Sequence, residues 1–203
     1  MSAPIGAGPF TERFGQALAY AERLHRAQVR KGSNVAYIAH LIAVASLAIE
    51  HGAKEDEAIA ALLHDSIEDQ AGSDPAPLMN EIRGQFGEHV LSVVMGCSDS
   101  DTSINKPPWR ERKERYVGHI ATAPRSVLLV SCADKCHNAR SILADLLSDG
   151  PSVWDRFTGG RDGSLWYYRA IADAFEARVP DVPAGLARLL AVTVAEIERV
   201  SAE

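Results

Sequence analysis

The sequence predicts an all-α fold, a helical bundle in a single domain over residues 1–203. Three observations predict it. Apolar residues recur at three- and four-residue steps along nearly the whole chain, the pattern of helices that bury one face. No segment alternates with period two over more than a few residues, so a sizeable sheet is not expected. Glycine, proline and short polar runs cut the chain into pieces of helix length. With 203 residues and 46% hydrophobic residues, the chain can bury one real core.

The elements follow in order. After Pro9, Thr11 is a plausible N-cap, and Phe14, Ala17, Leu18, Ala21, Leu24, His25 and Gln28 form one stripe. A polar turn spans Arg30 to Asn34. A second helix carries Ile38, Leu41, Ile42, Ala45, Leu47 and Ile49 and stops at Gly52. A third starts near Lys54–Asp56 and runs through Ile59, Leu62, Leu63 and Ile67. Residues 71–77 form a loop in which Asp74-Pro75 resembles a helix start. One short helix reaches Phe86 and another runs from Gly87 to about Met95. Residues 97–108 read as a loop, then a charged helix spans about Trp109 to Ala121. Pro124 opens a long helix to about Ser148. Residues 149–163 are punctuated by Gly and Pro, a helix covers about 164–178, and a last one about 184–200.

Composition narrows the function classes. The net charge of −6 argues against general binding of nucleic acid or anionic membranes, while a small phosphorylated substrate is compatible with it. Cys97, Cys132 and Cys136 are too few for a disulfide framework; Cys132 and Cys136 read as core, with a zinc pair as the alternative. The N-terminal segment lacks the basic and apolar regions of a secretory signal, and no stretch of ~18 apolar residues occurs. A cytoplasmic location is expected.

Three polar intrusions into apolar helices carry the chemistry. HDSIED, residues 64–69, puts His64, Asp65 and Glu68 within about one turn. An imidazole beside a carboxylate chelates Mn²⁺, Fe²⁺ or Zn²⁺ well, although solvated acids at a helix end give the same letters. His40 sits in AYIAHLIAVA, where a satisfied core histidine is the plainer reading. Asp134 follows an apolar run and is costly to bury unless paired or bound to metal. On that helix Val127, Val130, Asp134, Asn138 and Ser141 lie on one face, so an apolar stripe turns polar in mid-helix, as a pocket wall does. Four candidate ligands on three helices point together to a metal centre.

The pattern His…His-Asp…Asp resembles the HD superfamily of metal-dependent phosphohydrolases. More closely, HRAQVRKGSNVAYIAHLIAVA, AALLHDSIEDQ, FGEHVLSVV, RERKERY and CADKCHNARSI resemble the hydrolase domains of RelA/SpoT-type proteins and the small alarmone hydrolases, including the metazoan SpoT homologue. The resemblance covers roughly residues 10–178. It implies one Mn²⁺ held by His40, His64, Asp65 and Asp134, with Fe²⁺, Zn²⁺ or another divalent ion as alternatives. It implies Glu68 and Asp69 as the catalytic acidic pair, and Arg30, Lys31, Asn138 and Ser141 as substrate contacts. Lys106, Arg112, Lys113 and Arg115 are further candidate cations; an alternative for ERKERY is a solvated face of ion pairs. Among Trp166, Tyr167 and Tyr168, one or two line the pocket, with Tyr167 the first choice. His25, Gln28 and His137 are candidates for support of the site.

The implied reaction is removal of the 3′-pyrophosphate from ppGpp or pppGpp, giving GDP or GTP and pyrophosphate. A divalent ion lowers the pKa of a water and polarises a phosphoryl oxygen, and a carboxylate, Glu68 first, takes the proton. The chain ends at Glu203, which fits a hydrolase without a synthetase domain. Competing readings are an HD phosphohydrolase acting on an adenine alarmone or an NADPH-type 2′-phosphate, and a domain that senses a nucleotide without cleaving it. The sequence departs from the family at Ala36 and Leu41, where proline is common, in a longer RKGSNVAY turn, and at Gln70, where threonine is usual. The oligomeric state is not legible.

Overall fold

A computed structural model describes residues 8–98 and 107–202. Among them are ten α-helices, one 3₁₀ segment and no strand. The helices are α1 (Glu12–His25), α2 (Ile38–Glu50), α3 (Glu55–Leu63), α4 (Ser66–Gln70), α5 (Ala76–Phe86), α6 (Glu88–Cys97), α7 (Trp109–Ile120), α8 (Arg125–Asp149), α9 (Gly160–Glu176) and α10 (Ala184–Ser201). The 3₁₀ segment is Gly150–Arg156. Thr11 caps α1, its hydroxyl accepting from the Arg13 backbone N–H.

The core is organised around α3 and α8. Ala58 to Leu63 are all buried, so α3 is apolar on every side and runs through the middle of the bundle. The first half of α8 is buried from Val127 to Asp134. α2, α3 and α8 pack against one another, α1 and α6 flank α3, and α9 and α10 close the far side against α8 and each other. The buried side chains form one continuous cluster. Gly96 of α6 lets this packing close: a Cβ there would lie 2.5 Å from Val127 Cγ2.

Two sequence expectations are corrected. The third helix does not run on through Ile67. It stops at Leu63, turns at His64 and Asp65, and restarts as α4. On a regular helix adjacent side chains diverge by ~100°, so the turn is what lets two neighbours face one point. The helix expected from about residue 164 begins at Gly160, and the punctuated stretch before it holds the 3₁₀ segment, with Val153 and Trp154 in the core. Between α1 and α2 the chain makes a tight excursion, pinned by a bridge between Val29 and Ala36.

Candidate metal centre and pocket

His40 from α2, His64 and Asp65 from the α3–α4 turn, and Asp134 from α8 converge where these helices pack. Donor atoms of His40, His64 and Asp65 all lie within 4.8 Å of one another. Asp65 Oδ2 is 3.4 Å from His40 Nε2 and 3.1 Å from His64 Nε2. Asp134 Oδ1 is 3.3 Å and 3.5 Å from the same two nitrogens. His40, His64 and Asp134 are no more than 5% exposed.

Protonation follows from hydrogen bonding. His64 Nδ1 lies 2.9 Å from the Ala61 carbonyl, which only accepts, so Nδ1 carries the proton and donates. The neutral ring then turns a bare Nε2 lone pair to the centre, and among the described residues this buried atom has no hydrogen-bond partner. Two imidazole nitrogens and two carboxylates aimed at one buried point repel unless a cation sits between them or a proton is taken up. The same field has that direction: burial opposes charge on His64, but Asp65 and Asp134 outweigh it and raise its pKa well above the usual value. Burial likewise opposes the Asp65 carboxylate, while His64 and His40 hold its pKa low. The donor set therefore fits a divalent ion with nitrogen and oxygen ligands.

Outer contacts hold each donor in place. Tyr37 O–H donates to Asp65 Oδ2 at 2.6 Å. His40 Nδ1 and His137 Nδ1 are 2.8 Å apart. Asp134 accepts from Lys135 Nζ at 2.6 Å through Oδ2, and from Asn138 Nδ2 at 2.5 Å through Oδ1. Burial opposes the charge on Lys135, but Asp134 overcomes it, so this ammonium stays protonated. Burial and the neighbouring His40 and Arg30 push His137 down to about 4, which keeps its ring neutral.

A cavity of about 680 Å³ opens beside this centre. Its wall includes Tyr37 and Asn138, which touch Asp65 and Asp134 directly, so the four donors stand one layer behind it. Arg30, Lys31, Glu68, Asp69, Arg112, Lys113, Ser141, Tyr167 and Tyr168 also line it. Arg30 donates to Asn138 Oδ1 at 2.7 Å, and Lys113 Nζ lies 4.8 Å from the Tyr167 ring centre. Asp69 Oδ2 accepts from Gln28 Nε2 at 2.7 Å, and Gln28 Oε1 accepts from Gln70 Nε2 at 2.6 Å. Gln70 thus holds Gln28, which in turn holds Asp69, just beyond the end of α1. His25 stacks on Tyr37, with ring centres 5.2 Å apart.

Several sequence candidates sort differently. Both Tyr167 and Tyr168 line the cavity, and Trp166 does not. The ERKERY helix is divided: Arg112 and Lys113 face the cavity, whereas Arg115 pairs with Glu111, and Arg110 with Glu114. Lys106 lies outside the described residues. Cys97, Cys132 and Cys136 are buried free thiols, with burial pushing Cys97 up to about 11. Tyr37 and Lys135 escaped the sequence reading, although Tyr37 precedes His40 by one helical turn and Lys135 adjoins Asp134. Among the described residues, no helix is long and apolar enough to cross a membrane.

Comparison with known proteins agrees with this geometry. A family model described as HD domain matches residues 17–165. The GTP pyrophosphokinase of Streptomyces coelicolor is 33% identical over 128 residues, 63% of this chain and 14% of that protein. The guanosine-3′,5′-bis(diphosphate) 3′-pyrophosphohydrolase of Haemophilus influenzae is 32% identical over 128 residues, 60% of this chain and 17% of that protein. The bifunctional (p)ppGpp synthase/hydrolase SpoT of Escherichia coli K12 is 31% identical over 137 residues, 64% of this chain and 18% of that protein. The chain thus spans less than a fifth of the length of these curated relatives. A solved structure described as a metazoan ortholog of SpoT that hydrolyzes ppGpp superposes with a TM-score of 0.71 at 26% identity, covering 95% of this chain and 97% of that one. A crystal structure of lmo0812 from Listeria monocytogenes EGD-e gives a TM-score of 0.66 at 26% identity, covering 81% and 99%. The chain belongs to the HD domain family, with RelA/SpoT-type hydrolase domains among its relatives.

Proposed function

We propose that the protein is a metal-dependent hydrolase that removes the 3′-pyrophosphate from ppGpp or pppGpp, with Mn²⁺ as its ion. The observation that carries this reading is the convergence of His40, His64, Asp65 and Asp134 behind a cavity that has an acidic pair, Glu68–Asp69, and a basic pair, Arg30–Lys31, in its wall. Relatives at about 30% identity that carry this activity in their names support it.

His40, His64, Asp65 and Asp134 would hold the ion, which when bound acidifies a water and polarises a phosphoryl oxygen. Arg30 and Lys31 neutralise the phosphates, and Arg30 is aimed by its bond to Asn138. Glu68 takes the proton of the attacking water. Asp69, fixed by Gln28, supports it. Tyr167 and Tyr168 offer aromatic walls to the nucleoside. The three free thiols favour a reducing, cytoplasmic setting.

The test is pyrophosphate release from ppGpp with added Mn²⁺. Asp65→Ala should lose both bound Mn²⁺ and turnover. Glu68→Ala should keep Mn²⁺ and lose about 10²- to 10⁴-fold in kcat. No release from folded, Mn²⁺-loaded wild type sinks the substrate assignment and turns attention to nucleotides with other 2′- or 3′-phosphates.

A further inference from the structure

Along α8, Asp134, Asn138, Ser141 and Asp145 follow at steps of four, three and four residues, so they share one helical face. The first adjoins the metal centre, and the other three line the cavity. Asp145 lies eleven residues beyond Asp134, about 16 Å along the helix axis at ~1.5 Å per residue. A nucleotide whose scissile phosphate sits at the metal centre cannot place its ribose that far away. It can place the outer edge of its base there.

The surroundings of Asp145 suit a base. Ile142 lies one turn before it, and Phe157 lines the same cavity. Asp145 Oδ2 is 3.1 Å from Arg156 Nη1, and Asp149 holds the other end of that guanidinium at 2.7 Å. Arg156 in turn crosses Gly32, where a Cβ would come within 2.7 Å of Arg156 Cδ and where φ is +77°. The guanidinium is therefore held by two carboxylates, and it in turn positions that of Asp145. Paired with Arg156, the Asp145 carboxylate adds no net positive charge for a phosphate at this end of the cavity, which suits a neutral base.

We propose that Asp145 is a specificity-determining residue that accepts hydrogen bonds from a nucleobase edge with adjacent donors. Guanine presents such an edge in its N1–H and 2-amino groups. Adenine presents a ring-nitrogen acceptor beside its amino group and is disfavoured. The inference rests on the proposed function, because it takes the ligand to be a nucleotide with its 3′-pyrophosphate at the metal centre.

The test is calorimetric titration of the Mn²⁺-loaded protein with GDP and with ADP. Wild type should prefer GDP. Asp145→Asn should weaken GDP about 10- to 100-fold and leave ADP unchanged or improved, so that the preference collapses. Asp149→Asn, which also removes a partner of Arg156, should retain the preference, which separates base reading from mere support of the 3₁₀ segment. Equal binding of GDP and ADP by wild type, binding of neither, or a preference that survives in Asp145→Asn overturns the proposal. Pyrophosphate release from ppGpp judges the proposed function separately, because it does not depend on base preference.

Discussion

At the scale of single residues, the centre depends on groups that touch the donors without belonging to them. A metal-facing His40 Nε2 requires the proton on Nδ1, and only an acceptor at His137 Nδ1 satisfies it. His137→Ala should therefore weaken Mn²⁺ binding about 10- to 100-fold, read by electron paramagnetic resonance of the free ion. His137→Asn, which restores an acceptor near the Nδ1 position, should recover most of it. Unchanged affinity in His137→Ala shows that the His–His bond is incidental. The four donors were legible in the sequence because His40 and Asp134 are costly polar intrusions into apolar helices and His64-Asp65 directly follows an apolar one. Tyr37 and Lys135 were not, because tyrosine and lysine are unremarkable where they stand, and Gln28, a candidate for support, had no visible partner in Gln70. Only distances across the packed helices give them a role.

At the scale of elements, α6 packs closely on α8 where Gly96 meets Val127. Val127 is branched at Cβ and cannot swing its methyl groups clear of an added carbon at Gly96. Gly96→Ala should thus destabilise the fold by about 1–3 kcal/mol, measured by denaturant unfolding. Gly118→Ala, where a Cβ meets nothing within 4 Å, is the control and should stabilise α7 slightly. Helices such as α2 and α8 were legible because their apolar stripes are long and their ends punctuated. The break between α3 and α4 was not: AALLHDSIED has no glycine or proline to announce it. The turn arises from the placement of two adjacent donors, which is a tertiary demand. Asn138, expected as a substrate contact, lines the cavity and also bonds both Arg30 and Asp134.

At the scale of the whole molecule, the ligands come from α2, the α3–α4 turn and α8, parts of the chain that core packing brings together. An ion bound to the folded state alone should stabilise it by about 2.7 kcal/mol at a hundred times Kd. For about 200 residues that is a rise in Tm of roughly 5–10 °C with Mn²⁺, reversed by a chelator. The bundle class was legible from periodicity, since nine segments with 3.6-residue repeats leave no other way to bury their faces. The cavity was not, because its wall assembles Gln28, Arg112, Asn138, Phe157 and Tyr167 from distant parts of the chain. Asn138 has a consequence at this scale. One amide donates to the ligand Asp134 and accepts from the cation Arg30, so occupancy at either end stiffens the other. The two events should be thermodynamically reciprocal: whatever factor nucleotide adds to Mn²⁺ affinity, Mn²⁺ adds to nucleotide affinity, and Asn138→Ala should bring both factors toward one together.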